Sequence, residues 1–247
     1  MNGLNTIIFG KDMSMALFAI GDPHLSIATG KSMNIFNGWQ DYEQRLKNNW
    51  ERLVGEDDTV VLAGDISWCM NLDEGYEDFK FLDSLPGKKI ILKGNHDYWW
   101  ATKKKADDFF KEHSFETLSI LFNNAYAVGN IAVCGTRGWF FDAESDADKK
   151  VVLREAGRLR MSIAAAKETG LEPVVFLHYP PINQTQKCDE IYNVLVEEGI
   201  KRCYYGHLHS YSHATAFTGE SDGIKFSLIS SDFLGFCPAH IPENSAI

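Results

Sequence analysis

Basic charge, paired cysteines and long apolar runs are all scarce in this sequence, and each shortage closes off a class of function. Lys and Arg total 24 against 34 Asp and Glu, a formal charge of −10. A surface that acidic repels a phosphate backbone, which argues against a general nucleic-acid binder. The five cysteines (Cys69, Cys134, Cys188, Cys203 and Cys237) are odd in number and scattered, with no Cys-x-x-Cys pair. That pattern fits reduced thiols in a cytoplasm, not a disulfide framework. No apolar run approaches the roughly 18 residues needed to cross a bilayer. The apolar stretch Met15–Ile20 is too short for a signal-peptide core, and no small-residue cleavage site follows it. Repeats, low-complexity tracts and Pro/Gly/Ser-rich linkers are missing as well. The expectation is a cytoplasmic globular protein without a membrane segment.

What is present is a chain of 247 residues, 45% hydrophobic, long enough to bury a substantial core unaided. We expect a single domain over residues 1–247, with residues 1–12 as an extension before the first strand. Translation could start at Met1, Met13 or Met15. Short apolar runs alternate with longer amphipathic stretches, the signature of an α/β fold. Strands are predicted at Ala16–Ile20, Thr59–Ala63, Lys89–Leu92, Ile131–Cys134, Pro173–Leu177, Arg202–Tyr205 and Phe226–Ile229. Helices are predicted over Trp39–Val54, Leu72–Ser84, Thr102–His113, Lys149–Thr169 and Glu190–Glu198. The fourth helix is clearest, because Val152, Ala156, Leu159, Ile163 and Ala166 form one apolar stripe that Gly170 closes.

The residues that follow the strands carry the chemistry. They read Gly21-Asp22-Pro23-His24, Gly64-Asp65, Lys93-Gly94-Asn95-His96-Asp97, His178-Tyr179-Pro180-Pro181 and Gly206-His207-Leu208-His209. Ligands of open α/β sheets bind beyond the carboxyl ends of the strands, so five polar loops can converge on one place. Each piece alone could be a strand-ending turn. Together they hold five of the eight histidines, which favours a site over satisfied surface turns. Imidazole suits Zn and Fe, whereas carboxylate and amide oxygens suit harder ions such as Mn and Mg. The mixed His/Asp/Asn set suggests two octahedral-leaning ions rather than a closed structural zinc.

This ordered set, spanning residues 22 to 209, resembles the calcineurin-like metallophosphoesterase superfamily. The resemblance implies a four-layer α/β/β/α sandwich of two mixed β-sheets flanked by helices. It implies that Asp22, His24 and His209 hold one metal, that Asp65 bridges, and that Asn95, His178 and His207 hold the second. His96 would then act on substrate. The implied reaction is hydrolysis of a phosphate ester, with a hydroxide between the ions attacking phosphorus and His96 protonating the leaving group. Asp97 is placed to orient His96 and keep it protonated. The cofactors expected are two metal ions drawn from Mn, Fe or Zn, which the ligand set does not separate.

The sequence departs from its relatives at one informative point. In the superfamily's protein Ser/Thr phosphatases the Gly-Asp motif continues toward an Arg that clamps phosphate, whereas this chain reads Gly64-Asp65-Ile66-Ser67-Trp68. Arg137, in Gly135-Thr136-Arg137-Gly138-Trp139, is a candidate substitute clamp, with an ion-paired arginine as the other reading. Trp68, Tyr98, Trp99, Trp100, Trp139 and Tyr179 crowd the same loops, either as core packing or as a rim that stacks on a base. Lys103-Lys104-Lys105 reads as a solvated helix face. His113 is expected at a helix end facing solvent, His213 in the strand after the last motif with lining the pocket as the other reading, and His240 outside the motif set. The favoured substrate is a small phosphodiester or nucleotide-like molecule, not duplex DNA. A phosphomonoester, a phosphoprotein and a non-catalytic metal-binding scaffold are the rivals. Oligomeric state is not readable.

Overall fold

The computed structural model describes residues 15–139 and 145–243. The expected extension 1–12 and the alternative starts Met1 and Met13 lie outside those residues. Eleven strands within them form two sheets. The first runs β11 (Ala239–Ile241), β1 (Leu17–Ile20), β2 (Thr59–Ala63), β3 (Lys88–Leu92), β4 (Leu118–Ile120), all parallel except β11. The second runs β5 (Tyr126–Val128), β6 (Ile131–Thr136), β7 (Glu172–Leu177), β8 (Arg202–Tyr205), β10 (Ile224–Leu228), β9 (Gly219–Ser221). There β6, β7, β8 and β10 are parallel, and β5 and β9 cover the edges antiparallel.

Alternation along each strand builds the layers. In β1 and β2, Leu17, Ala19, Val61 and Ala63 meet Ile131, Val133, Val174 and Phe176 of the second sheet. Their neighbours Phe18, Ile20, Val60 and Leu62 face α1 (Tyr42–Leu53), α2 (Tyr76–Ser84) and α3 (Lys103–Glu112). On the far side, Cys134, Val175 and Tyr205 pack under α4 (Asp146–Glu168) and α5 (Asp189–Glu197). The result is a four-layer α/β/β/α sandwich. Central strands are buried on both faces, which is why they read as unbroken apolar runs rather than alternating ones.

The expected strands and helices are found, with shifted ends. α2 starts at Tyr76, because Leu72 to Gly75 form a turn in which the Gly75 amide bonds the Asn71 and Leu72 carbonyls. α4 starts at Asp146, capped by the Ser145 hydroxyl on the Asp148 amide. β4, β5, β9 and β11 were not anticipated; each has three residues, too few to display a period. His213 is a correction. It lies in a 3-10 helix over Ser210–Thr215, not in a strand, since the chain turns back toward the site before β9.

Candidate metal centre

The parallel strands β1, β2, β3, β7 and β8 all end on one side, and their loops bring the predicted residues together. Asp22, His24 and His209 present ligand atoms within 4.8 Å of one another, and Asp65, His178 and His207 do the same. The two groups touch. Asp65 Oδ2 lies 3.6 Å from His24 Nε2, while its Oδ1 lies 3.6 Å from His178 Nε2, so Asp65 faces both. Asn95 Oδ1 is 2.6 Å from His178 Nε2, which adds it to the second group.

Packing glycine against carboxylate makes this crowding feasible. A Cβ on Gly206 would stand 2.4 Å from Asp22 Oδ2, and one on Gly94 would stand 2.1 Å from Asp65 Oδ1. The loops are also bent unusually. Asp22, His24, Asp65 and His207 all have positive φ, between 46° and 72°. Left-handed backbone at a non-glycine residue costs on the order of 1–3 kcal/mol and persists where the surroundings impose it. Here the Asp22 carboxylate accepts the His207 amide at 2.9 and 3.0 Å, and Asp65 Oδ1 accepts the His96 amide at 2.7 Å.

In the second group an acceptor opposes an acceptor, and in the first two ring nitrogens meet. His178 Nδ1 sits 3.1 Å from the Ala63 carbonyl and donates to it, which leaves Nε2 as a lone pair facing the Asn95 oxygen. His209 Nδ1 donates to Asp232 at 2.8 Å, and its Nε2 meets His24 Nε2 at 3.3 Å. Buried polar atoms arranged so that too few protons are available among them suit a cation. The donor set of nitrogens and hard oxygens, without a thiolate, therefore fits divalent or trivalent ions.

The electrostatics agree. Burial, reinforced by the Asp22 charge, lifts the Asp65 carboxyl to about 8. Burial opposes the Asp22 charge too, but attraction to His209, His178 and His24 outweighs it and holds that carboxyl below the usual range. Burial lowers His24, His178 and His207, the last to about 3, so these rings are neutral at pH 7 and could act as ligands. His209 alone is raised, to about 10, because Asp22 and Asp232 overcome its burial. A proton there supplies the positive charge that two carboxylates demand, which is the role a metal ion would take.

His96 sits half-buried at the mouth, its ring 4.8 Å from Trp68 and 5.8 Å from His24. The expected link from Asp97 to the His96 ring is not found. Asp97 is fully buried and accepts the amides of Gly94 at 2.6 Å, Ile66 at 2.7 Å and Asp65 at 2.9 Å, and the Trp99 indole at 2.8 Å. It ties the β2 and β3 loops together, and its carboxylate is spent on backbone. The His96 ring instead meets the Tyr98 hydroxyl, with Nδ1 at 3.2 Å. Arg137 lies in neither cluster. Its guanidinium lies 3.8 Å from Glu155 and over the Trp139 ring, while its carbonyl accepts the amides of His178 and Tyr179.

Asp232 was missed by sequence reasoning. It accepts from His209 Nδ1 and the Ser210 amide, and lies 3.3 Å from His213 Nε2, so it orients a ring of the first cluster. The only signal was position, since Ser230-Ser231-Asp232 follows a strand as the other loops do. The aromatics divide. Trp99 is core, Trp68 stacks on His24 at 4.8 Å, Tyr179 packs at 4.4 Å from His207, and Tyr98 is exposed. Trp39, not singled out before, sets its edge against both His24 and His209. Lys103 and Lys104 pair with Asp107 and Asp108, as a solvated helix face does. His113 caps α3 in solvent, and His240 stands in β11 against Phe18.

A family model described as calcineurin-like phosphoesterase matches residues 15–211. Among solved structures, a protein from Thermus thermophilus aligns with TM-score 0.56 at 11% identity, covering 94% of this chain and 100% of that one. Phosphopantetheinyl hydrolase from Mycobacterium tuberculosis aligns with TM-score 0.53 at 15% identity, covering 95% and 98%. A protein of unknown function from Aquifex aeolicus gives 0.51 at 16%, covering 92% and 96%. At these identities the likeness is one of fold. A segment of 64 residues is 31% identical to the Gene 66 protein of Mycobacterium phage L5, covering 26% of this chain and 30% of that relative's length.

Proposed function

This chain belongs to the calcineurin-like phosphoesterase family, and from that premise we propose that it is a metal-dependent phosphoester hydrolase that cleaves a small phosphodiester or nucleotide-like substrate with two metal ions and His96 as general acid. The observation that carries this reading is the pair of touching acceptor clusters, joined through Asp65, with His96 at their open side. Asp22, His24 and His209 would hold one ion, Asn95, His178 and His207 the other, and Asp65 would bridge them. Mn, Fe and Zn all suit these donors. When bound, such a pair supplies a nucleophile from water at neutral pH and draws charge from the phosphoryl oxygens.

The chain's own residues do the rest. Asp232 and the Ala63 carbonyl fix the tautomers of His209 and His178. Trp68 and Trp39 wall His24 and keep bulk water from that side. His96 donates its ring proton to the departing alkoxide. Burial, with His178 and Lys31 adding to it, holds the His96 ring below its ordinary pKa. The acid form therefore declines as pH rises through the range below the ordinary imidazole value, and turnover of esters with poor leaving groups declines with it.

A phosphoprotein substrate is disfavoured, because Ile66 and Ser67, which follow the Gly-Asp motif, are buried and offer no cation to a phosphate. No helix among the described residues is long and apolar enough to cross a membrane. We take the chain as one domain acting in the cytoplasm, since its scattered cysteines are unpaired and four of the five are buried. The test is hydrolysis of bis-p-nitrophenyl phosphate beside the monoester by Mn-loaded protein. Metal-dependent turnover that His96→Ala suppresses while both ions stay bound is the expected result. Full turnover by that variant would refute the general-acid role.

A further inference from the structure

Next to the metal centre lies a cavity of about 370 Å³ with the opposite electrostatic character. Its wall carries Lys93, Lys103, Arg137, Arg154 and Arg158 and a single acid, Glu155. In a protein of net charge −10 such a concentration is unexpected. Most of it is not neutralised internally. Glu155 is buried and serves Arg158 at 2.5 Å, Arg137 at 3.8 Å and the Thr136 hydroxyl at 2.6 Å. Lys103 is matched by Asp107. Lys93 and Arg154 have no hydrogen bond or ion pair among the described residues, and the Arg137 Nε is buried without a partner. Among the described residues, about three positive charges thus remain without a paired acid around one small space. Arg154 and Arg158 stand four residues apart on one helix face, a like-charge spacing that mildly disfavours the helix.

The cavity is wired to the catalytic loops. Lys93 stands two residues before Asn95, and the Arg137 carbonyl accepts the His178 amide at 3.2 Å. α3 begins at the wall with Thr102 as its cap, so its positive end adds to the field. The arginines are also braced for planar contacts, Arg137 over Trp139 and Arg158 over Phe122, both at 4.8 Å.

We propose that this cavity binds a second phosphate or diphosphate group, carried by the substrate whose ester the metal centre cleaves. This rests on the phosphoesterase reading above and narrows it to substrates with two phosphorylated positions. Guanidinium pairs recognise phosphate bidentately, and Lys93 adds a point charge from the loop that also carries Asn95.

Two arms test it on metal-loaded full-length protein. The first measures binding of inorganic pyrophosphate by tryptophan fluorescence, Trp100 being part of the wall. Arg154→Glu should weaken binding about tenfold or more, while Lys80→Glu, the same charge change on α2, should alter it by about twofold or less. Equal effects of the two variants would overturn the proposal, because only a diffuse field would then be at work. The second arm compares thymidine 5′-(p-nitrophenyl phosphate) with the same ester bearing a 3′-phosphate. A KM about tenfold lower for the phosphorylated ester, an advantage lost in Arg154→Glu, is the expected outcome. Equal KM values with pyrophosphate still bound would overturn the substrate assignment in favour of a free-anion site. Failure of both esters to turn over, with two ions bound, would refute the phosphoesterase reading instead, and the fluorescence arm alone would then judge the cavity.

Discussion

The metal centre and the cavity beside it are electrostatic inverses built from the same loops. In the centre, two carboxylates, an amide oxygen and four imidazoles, of which only His209 is raised in pKa, face one another. In the cavity, guanidinium and ammonium groups face one another with too few acceptors. The β3 loop feeds both, Asn95 to the first and Lys93 to the second. Each arrangement is unfavourable by itself, since like charges in partly dry surroundings repel strongly. Each becomes favourable when its complement arrives, a cation in one case and a phosphate in the other. The lesson is that unsatisfied chemistry of opposite sign, placed side by side, describes a ligand more fully than either region alone.

The sharpest way to break the comparison is at its acidic hub. Asp65→Ala should lower turnover by about a thousandfold or more and reduce bound metal, as read by elemental analysis, because one residue serves both clusters. A variant that kept two ions and normal rate would remove Asp65 from the centre. Next in size, His96→Ala should reduce kcat by roughly 10²- to 10⁴-fold with metal retained. The loss should be greater for an alkyl ester than for a p-nitrophenyl ester, whose leaving group needs no proton; equal losses would argue for a charge-stabilising role instead.

Asp232→Asn probes the support of the centre and not its ligands. Metal affinity should fall about 10- to 100-fold in chelator competition, because His209 loses the carboxylate that fixes its tautomer. Unchanged affinity would make Asp232 a loop tether only. The smallest effect expected is one of salt. Raising NaCl from about 0.05 to about 0.5 M should weaken pyrophosphate binding several-fold through the half-exposed cavity. Retention of the metals, measured in parallel, should be nearly insensitive, since Asp22, Asp65 and His178 are almost wholly buried. Equal salt sensitivity would erase the distinction between the two regions.

The metal-facing residues were legible because each lies in a short polar loop directly after an apolar run, and a run of strand length announces where its end will be. The histidine pair His207 and His209 and the string Gly94-Asn95-His96 needed no tertiary information to be noticed. Asp97 was legible as a site residue but not in its role. Only the folded loops show its carboxylate consumed by the amides of Gly94, Asp65 and Ile66. Asp232 and His213 were obscured for another reason. Their pairing joins residues nineteen apart across a 3-10 turn and a strand pair, a separation that carries no periodic signal.

By itself, then, the sequence determined the strand cores, the helix stripes and the residue types gathered at the strand ends, because those follow from local periodicity and from turns that must close where apolar runs stop. The tertiary structure alone decided which lone pairs meet, which carboxylate goes to backbone and not to a ring, and that Lys93, Arg137, Arg154 and Arg158 share one space. Lys93 follows β3, Arg137 follows β6, and Arg154 and Arg158 stand on α4, so the first lies more than forty residues from the others. Their charges are brought together only because burying the apolar faces of two sheets and a helix outweighs the repulsion between them.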